Sequence, residues 1–112
     1  MVRRFVPDEG NIVWLNFDPS AGHEQTGHRP CVVVSPFAYN RTGMMICCPM
    51  TTKEKEWPWA LALTADETSV VLTDQVRSVD WRERKAELKG QVTETELAQI
   101  RYNISLLLNL KN

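Results

Sequence analysis

Histidine and cysteine are scarce in this chain of 112 residues, with two of the first and three of the second. Neither sign of charge dominates. Lys and Arg number 13 against 14 Asp and Glu, so the net charge of -1 gives no overall field to draw the protein to a polyanion. Any nucleic-acid site therefore has to be local. Long hydrophobic runs are also missing: the longest, 44–50 and 57–63, fall far short of the ~18 to 20 residues of a membrane-spanning helix. The odd cysteine count argues against a disulfide framework, and adjacent Cys47 and Cys48 are badly placed to bridge each other or to clamp zinc. All three are expected to be buried reduced thiols, which fits a reducing, cytoplasmic location. Arg3 and Arg4 lead into charge and Pro7 instead of an apolar stretch, so the start is not expected to be a signal peptide. Gly and Pro, at 5 and 6, are too few for a collagen-like or wholly disordered chain.

What is present is ordinary globular composition, 43% hydrophobic and 24% charged, at a length that holds one domain, 1–112. Residues 11–17 are β-branched and aromatic and predict a first strand. A long polar loop, 18–29, follows, and loops of that length in small domains usually carry function. Residues 30–35 and 44–50 predict two further strands, near-continuous in apolar character and hence buried. Between them, Ser35-Pro36 predicts a helix N-cap with proline at the first helical position, and Gly43 a close to that short turn. A second polar loop opens at Thr51 and holds Lys53, Glu54, Lys55 and Glu56. Strands are predicted over 57–63, 69–72 and, more loosely, 75–81. The stretch 77–89, with Arg77, Arg82, Arg84, Lys85 and Lys89 diluted by acids, predicts a solvated charged surface. Thr93 and Glu96 form a capping-box pair ahead of Leu97, Ile100, Ile104, Leu107 and Leu108 at helical spacing, so a terminal helix should pack one face on the sheet. Together these elements suggest an α+β fold, a small antiparallel barrel with helical additions.

Chemistry concentrates in residues 22–30. His23, Glu24, Gln25, His28 and Arg29 crowd there, and His23 and His28 are the only histidines. Histidine can take and give a proton near neutrality, a nearby Glu can orient it or act as base, and arginine offers a planar charged fork to phosphate. This set suits phosphodiester cleavage by an RNA 2'-hydroxyl, a route that needs base, acid and cationic support but no metal. The plainer alternative is a polar loop in which Glu24 pairs with Arg29. Thr51 and Thr52 could donate to a phosphate oxygen or simply make a turn. Asp74, Gln75 and Arg77 alternate across a strand junction, where Asp74 and Arg77 could equally form a structural contact. No metal site is expected, since no further ligand spacing accompanies the two histidines. Trp14 is expected to pack, whereas Trp57 could pack or stack an unpaired base.

In order and spacing, Gly10-Asn11-Ile12-Val13-Trp14, Phe17-Asp18-Pro19, the segment 22–30, Val33-Val34-Ser35-Pro36, Tyr39-Asn40, Pro49-Met50-Thr51-Thr52 and Asp74-Gln75-Val76-Arg77-Ser78 resemble the MazF/PemK family of toxin–antitoxin endoribonucleases, the MazF branch especially. The resemblance covers nearly the whole chain. It implies an SH3-like antiparallel β-barrel of the plasmid-maintenance toxin type with a C-terminal helix. It also implies a homodimer, no cofactor, and metal-independent cleavage of single-stranded RNA at short motifs. The products would be 2',3'-cyclic phosphate and 5'-hydroxyl ends, and the outcome arrest of translation and growth. By position, Arg29 and Thr51 match the family's catalytic arginine and threonine, Glu24 an acidic residue of the same loop, and His23 and Asp74 acid and base roles in PemK-type relatives, with His28 beside them. Gln25, Thr52, Lys53, Lys55, Trp57, Gln75 and Arg77 are the expected RNA contacts. Leu72-Thr73 departs from PemK-type members that carry an arginine before the aspartate, so charge stabilisation leans on Arg29 with Arg77 in reserve. The implied protein partner is an antitoxin whose acidic, disordered C-terminal segment covers the RNA groove. The same fold also serves non-catalytic poisons of a protein target such as DNA gyrase, the competing reading.

Overall fold

The computed structural model describes residues 5–16 and 28–110. In chain order the elements are strands β1 (Asn11–Asn16) and β2 (His28–Val33), the short helix α1 (Phe37–Asn40), strands β3 (Met44–Thr51), β4 (Ala60–Ala62), β5 (Val70–Leu72), β6 (Arg77–Asp80) and β7 (Glu87–Gln91), and helix α2 (Glu94–Leu107). They build an antiparallel seven-stranded sheet in the order β4-β5-β3-β2-β1-β7, with β6 also paired to β3. None of these helices is long and apolar enough to cross a membrane.

The near-continuous apolar runs of β1, β2 and β3 follow from a sheet that is covered on both faces. One face carries Ile12, Val32, Val34, Cys48, Met50, Val71 and, from α2, Ile100, with Leu97 and Ile104 packed against them. The opposite face carries Val13, Leu15, Cys31, Val33, Met45, Cys47, Val79 and Trp81. Successive strand residues alternate between these two cores, as the pleat requires.

Strand β3 organises the sheet. Along one edge it pairs with β2; along the other, Met44–Cys47 pairs with β6 and Met50–Thr51 with β5. Pro49 sits where that second edge passes from one partner to the next, at a place where a missing N–H costs nothing. The strand therefore runs through the proline to Thr51, one residue beyond the predicted 44–50.

Several expectations are corrected. The strand foreseen over 57–63 is only Ala60–Ala62, because Pro58 has no donor and the chain turns there: Trp57 N donates to the Glu54 carbonyl at 3.0 Å and Ala60 N to the Trp57 carbonyl at 2.9 Å. Ser35 is not the cap of α1. Pro36 occupies that position, its φ of -78° and ψ of 161° lying outside the helix, and the first N–H, of Phe37, goes to Asp8 Oδ1 at 3.0 Å. Ser35 instead donates its hydroxyl to Asn40 Oδ1 at 2.5 Å and accepts the Ile46 N–H at 2.8 Å. The charged stretch 77–89 holds β6, inside the strand expected over 75–81, and also the start of β7, which was not foreseen. Glu87-Leu88-Lys89-Gly90-Gln91 has no apolar alternation because β7 is an exposed edge, where charge discourages pairing with other chains.

Helix α2 starts as foreseen. Thr93 Oγ1 accepts from Glu96 N at 3.0 Å while Glu96 Oε1 accepts from Thr93 N at 2.9 Å. Glu96 Oε2 also takes the backbone N–H of Thr64 at 2.7 Å, fastening the helix start to the turn after β4. Burial works against ionisation of Glu96, but these N–H groups and the Thr64 and Thr93 hydroxyls hold its carboxyl below the usual range. The apolar spacing overstates the other end: Leu107 and Leu108 are 42% and 60% exposed, so the packed face stops at Ile104.

Candidate active site

The register of β1 against β2 sets Leu15 opposite Arg29 and Asn16 opposite His28. Neighbouring strand residues face opposite ways, so Arg29 shares a face with Leu15 and Cys31, and His28 turns to the other. Thr51 ends β3, and its Oγ1 accepts the Lys53 N–H at 3.1 Å, which bends the chain into the second polar loop and leaves the hydroxyl proton to donate outward. Glu54, at a φ of 59°, reverses the loop in the left-handed region. Gln75 and Arg77 arrive from beyond β5.

These elements enclose a cleft of about 410 Å³ lined by Arg29, Thr51, Lys53, Gln75 and Arg77 over an apolar floor that includes Leu15 and Val79. Three segments far apart in sequence thus present two guanidinium groups, an ammonium, a hydroxyl and an amide to one hollow. With Glu54 the only carboxylate among the lining residues, the cleft suits an anion even though the chain is nearly neutral. A shallower hollow adjoins it, lined by Lys55, Trp57 and Asp74, and Glu54 and Gln75 border both.

Asp74 lies at this second hollow. Its Oδ2 accepts the Trp57 indole N–H at 3.1 Å, and its Oδ1 is buried with no hydrogen-bond partner among the described residues. The carboxylate is thus committed to the indole, not to Arg77. Trp57 remains 45% exposed while its indole N–H is held by Asp74.

His28 is not brought into the cleft. Its Nε2 lies 3.5 Å from Glu87 Oε1 on β7, and its ring centroid is 6.2 Å from that of Trp14. Trp14 is half-buried under the Lys89 ammonium, 5.3 Å from its ring centre. Thr52 is exposed beside Thr51 without lining either hollow. The expectations for His23, Glu24 and Gln25, and for a Glu24 to Arg29 pair, lie outside the described residues.

Thr73 is a contributor that its sequence context does not advertise. Fully buried, it donates its hydroxyl to the Trp59 carbonyl at 2.6 Å and its N–H to the same oxygen at 3.1 Å, and it accepts from Asn103 Nδ2 of α2 at 3.2 Å. These bonds anchor the turn that presents Asp74 and Gln75. A Leu-Thr pair at a strand end carries no mark of this; only the spatial neighbours supply it.

Cys31 and Cys47 lie at the floor of the cleft, whereas Cys48 turns to the opposite core. A hydrogen bond from Cys31 lowers the Cys47 thiol, burial opposes this, and Arg77 adds to the lowering. The same bond, then burial, raises Cys31. Burial, with smaller repulsion from Cys47 and Asp74, pushes Cys48 up to about 12. All three are free thiols, and no group of three or more His, Cys, Asp and Glu among the described residues could hold a metal ion.

The profile described as PemK-like, MazF-like toxin of type II toxin–antitoxin system matches residues 8–108. The endoribonuclease toxin MazF of Escherichia coli K12 is 49% identical over 110 residues, covering 96% of this chain and 99% of that protein. The endoribonuclease PemK of Escherichia coli is 34% identical over 116 residues, covering 96% of this chain and 87% of that protein. Among solved structures, a MazE–MazF crystal structure from Deinococcus radiodurans superposes with a TM-score of 0.89 at 46% identity, covering 96% of this chain and all of the other.

Proposed function

The chain belongs to the PemK-like, MazF-like family of type II toxins, and from that membership we propose that it is an endoribonuclease toxin cutting single-stranded RNA, chiefly mRNA, at short sequence motifs. The observation that carries this reading is the meeting of Arg29, Thr51 and Arg77 in one cleft. An RNA phosphate seated there would take charge from Arg29 and a hydrogen bond from Thr51. Attack by the adjacent 2'-hydroxyl on phosphorus would expel the 5'-oxygen, giving a 2',3'-cyclic phosphate and a 5'-hydroxyl. The negative charge that builds on the non-bridging oxygens is what a fixed guanidinium stabilises better in the transition state than in the ground state. Arg77 and Lys53 add to the same field. No metal enters this scheme, because the cations are the protein's own.

Proton transfer needs a base for the 2'-hydroxyl and an acid for the departing oxygen. Glu24, His23 and Asp74 are the candidates, His28 being turned toward Glu87, and Asp74, with one carboxylate oxygen held by Trp57, is the one at the edge of the described site. Lys55, Trp57 and Gln75 line the route by which flanking nucleotides would leave the cleft, with Gln25 and Thr52 as further RNA contacts.

The family match over 8–108 supports reading the chain as a single toxin domain, and on the family's pattern it would be of the SH3-like barrel type and act as a cytoplasmic homodimer. Solved MazE–MazF assemblies of relatives support a cognate antitoxin. An acidic, disordered antitoxin segment would compete with RNA for Arg29, Lys53 and Arg77.

The deciding experiment is incubation of the purified protein with a long defined RNA in EDTA, with the ends mapped by primer extension and tested for cyclic phosphate. Discrete cuts sharing a short motif are expected. Intact RNA from folded, antitoxin-free protein would overturn the reading in favour of a toxin that poisons a protein target.

A further inference from the structure

The cleft and the hollow beside it carry opposite charge. Arg29, Lys53 and Arg77 line the first against the carboxylate of Glu54, whereas Glu54, Glu56 and Asp74 line the second, of about 600 Å³, against the ammonium of Lys55. A phosphate is drawn to the one and repelled from the other. Trp57, 45% exposed, also lines the second hollow. Its indole N–H takes one of the roughly four lone-pair positions of the Asp74 carboxylate. Asp74 Oδ1 is buried and receives no hydrogen bond from any described residue. A buried carboxylate oxygen without a donor is costly to keep, and it is uncommon enough in folded proteins to point to a donor that arrives with a ligand.

Both walls of this hollow are anchored. Trp57 N donates to the Glu54 carbonyl at 3.0 Å, which closes the turn that carries the ring, and the Thr73 hydroxyl and N–H both go to the Trp59 carbonyl, at 2.6 and 3.1 Å. The segments bearing Trp57 and Asp74 are therefore tied to each other before any ligand arrives, so little ordering is left for binding to impose.

We propose that this hollow is a subsite for one nucleobase beside the cut bond, and that Asp74 selects bases bearing an exocyclic amine over uracil. This rests on the RNA-cleaving reading of the adjoining cleft. Glu54 and Gln75 border both hollows, so the two sites adjoin as a phosphate and a neighbouring base do along an RNA strand. A carboxylate only accepts hydrogen bonds. Cytosine and adenine present an amino group as donor, and guanine presents one next to a ring N–H. Uracil instead flanks its one ring N–H with two carbonyl oxygens, which would face the carboxylates of Asp74 and Glu56 with like partial charge. A site built to hydrogen-bond a donor rejects the analogue that lacks it far more strongly than an apolar pocket rejects a change of size. In this role Asp74 reads the base and moves no proton, while Trp57 offers a stacking surface and orients the carboxylate.

The test uses short RNA substrates built on the motif that the wild-type protein cuts. Each of the two nucleotides flanking the cut bond is varied in turn through the four bases and through amine-free analogues: purine riboside for adenosine, inosine for guanosine and pyrimidin-2-one riboside for cytidine. kcat/KM is measured for the wild type and for Asp74→Asn, whose amide offers donors where the carboxylate accepts, with folding checked by circular dichroism. At one of the two positions the wild type should favour an amine-bearing base over uracil by at least about tenfold and lose as much when the amine is deleted, and in Asp74→Asn both ratios should fall to about twofold or less. A proton-transfer role or a purely structural role for Asp74 would lower cleavage of all substrates by one factor and leave the ratios intact, which would overturn the proposal. Wild-type cleavage indifferent to the amine at both positions would overturn it as well. Where Asp74→Asn fails to fold or to cut, the same comparison is made by the affinity of the wild type and of Asp74→Ser for uncleavable 2'-deoxy analogues with and without the amine. RNA left intact by a protein that still discriminates those analogues would sink the endoribonuclease reading and leave the subsite standing.

Discussion

The indole N–H of Trp57 is bonded to Asp74 Oδ2 at 3.1 Å, so the carboxylate and the ring beside the cleft are set as one unit. Exchange of Trp57 for alanine should weaken binding of a non-cleavable RNA analogue by about 1 to 3 kcal/mol, the usual worth of one stacked base. Titration by fluorescence anisotropy would measure it, and unchanged affinity would move Trp57 out of the RNA path.

Arg29→Ala should reduce RNA cleavage by about 100-fold or more while leaving the circular dichroism spectrum unaltered, since Arg29 is exposed and holds no part of either core. Single-turnover cleavage of a short RNA substrate is the assay.

His28 offers the matching control from the next position. Facing Glu87 and Trp14 and not the cleft, it should cost less than tenfold when changed to alanine. A loss equal to that of Arg29→Ala would show that the histidine reaches the phosphate by a different arrangement of β2.

Asn40 is fully buried and gives its amide N–H groups to the carbonyls of Pro7, at 2.8 Å, and Ser35, at 2.9 Å. Its removal by Asn40→Ala strands these acceptors and the Ser35 hydroxyl, with an expected loss of about 3 kcal/mol in urea unfolding.

Glu96 links pH to the fold. Because its carboxyl is held below the usual range in the folded state, its contribution is complete above the unfolded value, about 4.3, and disappears as pH falls through the folded one. Glu96→Ala should therefore cost about 1 kcal/mol near neutrality, the scale of a lost helix cap. That difference from wild type should shrink as the pH is lowered into acid, as paired chemical-denaturation curves at pH 7 and pH 3 would reveal.

The helix start was legible because a capping box is a local device: Thr93 and Glu96 are three residues apart and satisfy each other's backbone groups. The buried strands were legible for a similar reason, through runs such as Cys31-Val32-Val33. The edge strand β7 was not, because an edge strand needs no apolar side and its pairing with β1 is supplied by the partner. For the site, the segment holding Arg29 announced itself by composition, and its chemistry became specific through family resemblance. That His28 and Arg29 part company follows only from register with β1. The roles of Thr73 and Asn103 depend on contacts across 30 residues of sequence, which no local pattern encodes.

Strand register also separates two things that could otherwise interfere. Arg29 is held by its register opposite Leu15 on β1, while His28, one position earlier, is turned toward Glu87 on β7. A single strand thus delivers adjacent side chains to two separate surfaces, and the pleat lets each surface be altered without re-aiming the other.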